Sequence, residues 1–193
     1  MAPEYVISLH NPAAREAAVA GEKAAALARL LHHDLPVPDG FVVPADASAE
    51  AMAELSTEIE TRFASVGDDL SALEAASESV RHLIADLRVS PGLGDAISAA
   101  FASLGDGAVV AVRSSGTAED LPGASFAGQY DSFLNVTSSA QVIERLVDVW
   151  ASLYSARAVA YRRHAGLPVT GVTMAVLVQR QVEATASGVL FTR

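Results

Sequence analysis

Residues 109–128 read VVAVRSSGTAEDLPGASFAG, an apolar run that meets an arginine and then opens into a long stretch of small residues. Val109, Val110 and Val112 are β-branched and sit with Ala108 and Ala111 in a run too short for a helix, so the pattern predicts a buried strand. Arg113 closes that strand in this reading. A guanidinium is hard to bury unpaired, and its planar fork suits a carboxylate or a phosphate equally. The carboxylates near enough in sequence are Glu119, Asp120 and Asp131. The phosphate alternative draws on the loop, where Ser114, Ser115, Gly116, Thr117, Gly123, Ser125 and Gly128 offer hydroxyls and backbone N–H groups that can approach an anion closely.

Outward from this stretch the chain mixes helical and strand periodicities. Lys23, Leu27, Leu30 and Leu31 have helical spacing in an alanine-rich segment, which predicts a first helix starting near Gly21 and ended by Pro36 and Pro38. Residues 40–43 read as a short strand. Met52, Leu55, Ile59 and Phe63 predict an amphipathic helix over 49–63, followed by one through Leu73, Val80, Leu83, Ile84 and Leu87 and another through Leu93, Ile97, Phe101 and Leu104. This middle stretch, about residues 45–105, reads as a helical insertion or subdomain. After the loop, residues 131–136 predict a strand that pairs with 109–113. Val142, Leu146, Trp150, Leu153 and Arg157 trace one long helix, and residues 172–179 and 187–192 read as two more strands. Without strict βαβ alternation the class is α+β.

Bulk properties narrow the functional classes. The 193 residues are 51% hydrophobic, enough to bury a core, and 23 acidic against 13 basic residues give a net charge of −10. That charge argues against nucleic acid and anionic membrane as partners while leaving room for a local basic pocket. The absence of cysteine removes disulfides, thiolate chemistry and cysteine-type zinc sites, and fits a reducing cytoplasm. The N-terminus shows no targeting pattern, and no apolar run approaches the ~20 residues of a spanning helix. His10, His32, His33, His82 and His164 lack metal-type spacing, and no metal ligand is assigned. Adjacent Glu119 and Asp120 could hold a hard cation with phosphate oxygens or simply face solvent.

The run RSSGTAEDLPGASFAGQYDSFLNV, residues 113–136, resembles the nucleotide-loop signature of the ATP-grasp domain in phosphoenolpyruvate synthases and rifampicin phosphotransferases, where RSSATAEDLP followed by SFAGQ is usual. GEKAAALARL at 21–30, VPDGFVVPADA at 37–47 and MAVLVQRQVEATASGVLFTR at 174–193 fit the same family in the same order, so the resemblance spans nearly the whole chain. It implies the N-terminal lobe of an ATP-grasp domain with a mixed or antiparallel sheet, packed helices and a helical insertion.

What the resemblance implies for the site is specific. Lys23 matches the lysine of a GGK motif that acts on the ATP phosphates, with Glu22 in place of the second glycine. In a first helical turn its charge opposes the macrodipole, and an anion there would relieve the conflict. Arg113 matches the arginine that holds the phosphates, and these two are the expected catalytic residues. Gly128 and Ser132 match loop and strand positions that contact the nucleotide. Gln179 and the backbone through Val182 match the hinge that reads adenine, in the form QRQV where QxMV is usual, with Gln181 replacing a methionine.

The expected activity is that of a dikinase-type phosphotransferase. ATP gives a pyrophosphoryl group to a histidine, AMP and phosphate leave, and the remaining phosphoryl goes to an acceptor. Pyruvate is the first acceptor this reading names and a rifamycin antibiotic the second. ATP and Mg2+ are the cofactors, with the metal ligands expected in a second lobe. That lobe, a phosphohistidine domain and an acceptor domain would be the partners, and no Thr-His carrier motif occurs in this chain. The reading from another class is a non-enzymatic nucleotide-sensing or protein-interaction module, favoured by GEK and QRQV.

Overall fold

The structure is a computed structural model that describes residues 4–67, 69–117, 120–121, 124–125 and 130–188, the four residues at 120, 121, 124 and 125 by their backbone. Its centre is a five-stranded sheet of β1 (Ile7–Ser8), β2 (Gly40–Val43), β3 (Val110–Gly116), β6 (Ser132–Val136) and β7 (Met174–Arg180), ordered β1-β2-β7-β3-β6 with every pair antiparallel. A two-stranded ribbon of β4 (Asp120–Leu121) and β5 (Ala124–Ser125) stands apart from it.

β3 and β7 form the middle of the sheet, and their register sorts their side chains. Val110, Val112 and Ser114 of β3 lie opposite Arg180, Val178 and Val176 of β7, while Ala111, Arg113 and Ser115 lie opposite Gln179, Leu177 and Ala175. Directly opposed residues share a face, and alternate residues take opposite faces. One face carries Val110, Val112, Met174, Val176 and Val178 into a large apolar cluster with Trp150, Leu146, Ile97, Ile84, Val80 and Phe63. The other carries Ala175, Leu177, Val42 and Ile7 against Ala20, Ala24 and Ala28 of α1 (Ala17–His32). Alanines bring this helix close to the strands.

The larger cluster is roofed by α2 (Ala45–Met52), α3 (Ser56–Ala64), α4 (Leu70–Ala85), α5 (Pro91–Ser103), α6 (Ser139–Ser152) and α7 (Ala156–His164). Met52, Ile59, Phe63, Leu73, Val80, Ile84, Leu93 and Ile97 from the middle helices pack in the same cluster as the sheet residues. Trp150 is fully buried at its centre and donates its indole N–H to the Met174 carbonyl at 3.3 Å.

Several expectations need correction. The helix expected over 49–63 is two helices joined by a 3₁₀ turn at Ala53–Leu55. Spacings of three or four residues persist through such a turn, so periodicity alone cannot reveal it. The long helix through Arg157 breaks before Ser155, which caps α7 by accepting the Ala158 N–H at 3.2 Å. A serine N-cap is a readable signal that the apolar stripe obscured. The strand expected at 172–179 runs from Met174 to Arg180. Residues 187 and 188 form no strand, and the rest of 187–192 lies outside the described residues. β1 was not foreseen, being only two residues long.

Candidate functional site

The strand does not end at Arg113. Ser114, Ser115 and Gly116 continue β3 and pair with Val176, Ala175 and Met174, because β7 is long enough to carry the ladder three residues further. Small polar residues of low strand propensity are held there by pairing with β7. Arg113 therefore projects from the middle of a strand, half-buried, on the face that α1 covers. Asp131 does not pair with it, and among the described residues no carboxylate or carbonyl is bonded to its guanidinium. Glu119 and the side chain of Asp120 lie outside the described residues.

Lys23 comes to this face through a break in α1. Gly21 has φ 73° and ψ 165°, so the helix proper begins again after it and Lys23 occupies its first turn. The break is a contact with β3. A Cβ at Gly21 would lie 1.9 Å from the Ser115 carbonyl oxygen, and Ser115 Oγ accepts the Ala24 N–H at 3.1 Å. The hydroxyl expected to face an anion is instead a buried helix cap supplied from a strand 91 residues away. Alternation along a strand places Arg113 about 7 Å from Ser115 on the same side. Glu22, the residue that replaces a glycine, lies 4.0 Å from Arg29.

Ser132 lies directly opposite Arg113 on β6 and is exposed. Past it the register shifts: Leu134 and Asn135 both lie between the paired Phe133 and Val136, opposite the single residue Ala111, and Asn135 takes φ 59°. Leu134, on the side of Ser132, is 62% exposed. Its signal in the sequence is an apolar residue two positions beyond Ser132, the alternate position along a strand.

Gln179, opposite Ala111, is buried and donates its amide N–H to the Pro38 carbonyl at 3.1 Å. A carbonyl can only accept, so the amide nitrogen must face Pro38 and the amide oxygen is the end turned away. Gly40, opposite Gln179, permits this close approach, since a Cβ there would meet the Val178 carbonyl oxygen at 2.4 Å. Gln181 is engaged elsewhere: it accepts the Asn135 N–H and donates to Asn135 Oδ1, both at 2.9 Å. Val182 lies beyond β7, exposed, its carbonyl accepting the Ala184 N–H at 3.0 Å. Gly128 lies outside the described residues.

One side of the sheet thus gathers Lys23, Arg113, Ser132, Leu134 and Gln179, with two cations at one end and an apolar side chain and an amide toward the other. That arrangement suits a ligand with an anionic end and a flat base. The described groups with displaced pKa values lie away from it. Burial pushes the Tyr154 hydroxyl up, against the opposing effect of Arg162, and burial pushes the Arg162 guanidinium down, against that of Tyr130.

The family described as "Pyruvate phosphate dikinase, AMP/ATP-binding domain" matches residues 17–193. The chain belongs to this family. Among similar curated proteins, a rifampicin phosphotransferase of Streptomyces sviceus is 41% identical over 97% of this chain and 22% of its own length. A phosphoenolpyruvate synthase of Deinococcus radiodurans is 40% identical over 84% of this chain and 22% of its own. A probable phosphoenolpyruvate synthase of Archaeoglobus fulgidus is 38% identical over 89% and 24%. The chain spans roughly a quarter or less of each of these three. Among the described residues no helix is long and apolar enough to cross a membrane.

Proposed function

We propose that this chain is the ATP-binding lobe of a dikinase-type phosphotransferase, with the nucleotide lying along the sheet face that carries Arg113. The observation that supports it most is the half-buried guanidinium bonded to no carboxylate among the described residues, beside the helix start that bears Lys23. In a chain of net charge −10, two basic groups brought to one sheet face favour a polyanion. Lys23 and Arg113 would neutralise charge on the phosphates as it redistributes during transfer. Ser132 would lie along the same path, and Gly128 would allow the loop to approach the ligand.

The orientation of Gln179 supports adenine as the base. Its amide oxygen, turned from Pro38, would accept from the adenine amino group, whereas guanine presents an acceptor at that position. Leu134 would lie against the base, and the backbone through Val182 would border it.

Mg2+ would supply further neutralisation of the phosphate charge. Among the described residues no three His, Cys, Asp or Glu side chains gather, so we assign it no ligand there. On this reading the metal ligands, the phosphohistidine carrier and the acceptor site belong to further domains of one longer cytoplasmic enzyme. Pyruvate and a rifamycin are the candidate acceptors, the relatives being named for both chemistries.

An amide-shift titration with ATP and then GTP tests the proposal. ATP-selective shifts at Lys23, Arg113, Ser132 and Gln179, lost in Arg113→Ala, are expected. Shifts confined to the helices over Trp150, or equal responses to both nucleotides, would overturn it.

A further inference from the structure

Lys23 and Arg113 stand 90 residues apart in sequence on two different elements, yet a phosphate chain of fixed length can meet both only if their spacing is held. One polar contact joins the two elements between these residues. Ser115 lies two residues beyond Arg113 on the same face of β3, wholly buried, and its hydroxyl accepts the Ala24 N–H at 3.1 Å, one residue after Lys23. Gly21 presses against the same residue, for no side chain fits between its Cα and the Ser115 carbonyl. An N–H in the first turn of a helix has no partner within the helix, so a hydroxyl from a strand supplies it and pins the helix start to that strand.

We propose that Ser115 is a positioning residue for the nucleotide phosphates: through the Ala24 N–H it holds the Lys23 turn at one distance from Arg113. The inference rests on the nucleotide reading above. Ser115 touches no ligand in this arrangement. Its effect passes through the two cations, so it shapes binding without contributing charge.

A double-mutant cycle in the 193-residue protein separates this role from a merely structural one. Ser115→Ala is expected to weaken ATP binding about five- to tenfold, the worth of one hydrogen bond to a buried donor. Ser115→Cys, a weaker acceptor of similar shape, should fall between serine and alanine, and it keeps the test available should the alanine variant fail to fold. Combined with Lys23→Ala, the Ser115 substitution should add little further loss, because the group it positions is gone. Amide hydrogen exchange at Ala24 should quicken in the order serine, cysteine, alanine, with or without ATP.

Losses that multiply in the double variant would overturn the positioning role, as would wild-type ATP affinity in Ser115→Ala. No ATP binding by the wild-type protein, with Ala24 protected as expected, would instead overturn the nucleotide reading and the inference with it.

Discussion

The two faces of the central sheet are built from alternate residues of the same strands, yet they are used differently. On one face Val110, Val112, Val176 and Val178 meet Trp150, Leu146 and the apolar sides of several helices. On the other the same strands carry Ala111, Arg113, Ser115 and Gln179, covered in part by the alanines of α1. The first face gains stability from large buried side chains. The second gives up apolar area to polar groups, of which Arg113 is half-buried and Ser115 wholly buried against α1. Stability and candidate chemistry thus sit within one strand, a residue apart, so substitutions at adjacent positions should act on different properties.

The largest effect expected is Trp150→Ala, which empties the centre of the covered face and should cost about 3–5 kcal/mol in denaturant unfolding. Arg113→Ala, which the nucleotide reading expects to abolish ATP-selective shifts, should leave stability within about 0.5 kcal/mol. Equal destabilisation by the two would break the contrast between the faces. Gly21→Ala comes next, since it forces a Cβ against the Ser115 carbonyl at a positive φ, and should lose about 2–4 kcal/mol in the same assay. A neutral result would mean that α1 can lift from β3 at little cost.

Gln179→Leu sharpens the assignment of the open face. It should weaken ATP about fivefold while leaving GTP nearly unchanged, read as a narrowed ratio of dissociation constants. The smallest effect belongs to Tyr154, on the covered side. Its pKa is raised in the fold above the ordinary 10.0, so the unfolded chain releases the proton first. The stabilisation this gives is present below pH 10 and is lost as pH rises through the folded value. Tyr154→Phe should flatten that alkaline decline in a pH series of unfolding midpoints, and an unchanged slope would assign it to other groups.

Much of this was legible in the chain. Gly40–Val43 stands where its apolar run and flanking prolines place it, and the strand over 132–136 pairs with β3 as its pattern suggests. The helix at α1 restarts at Gly21, where an interruption in an alanine-rich run was visible. The turn within 49–63 and the cap at Ser155 were harder, because an apolar stripe continues across both. Ser115 is harder for a related reason: a serine in a small-residue stretch resembles loop, and only the length of β7 keeps it in a strand.

The sequence by itself determined the α+β class, the family and the candidate residues Lys23 and Arg113, because motif identity and hydrophobic period are local properties that survive without coordinates. Tertiary structure alone decided that Ser115 caps the helix of Lys23, that the Gln179 amide is turned by Pro38, and that Arg113 and Ser132 face each other. Those facts depend on strand register and on groups far apart in the chain, and a one-residue slip in register would have sent each of these side chains to the opposite face.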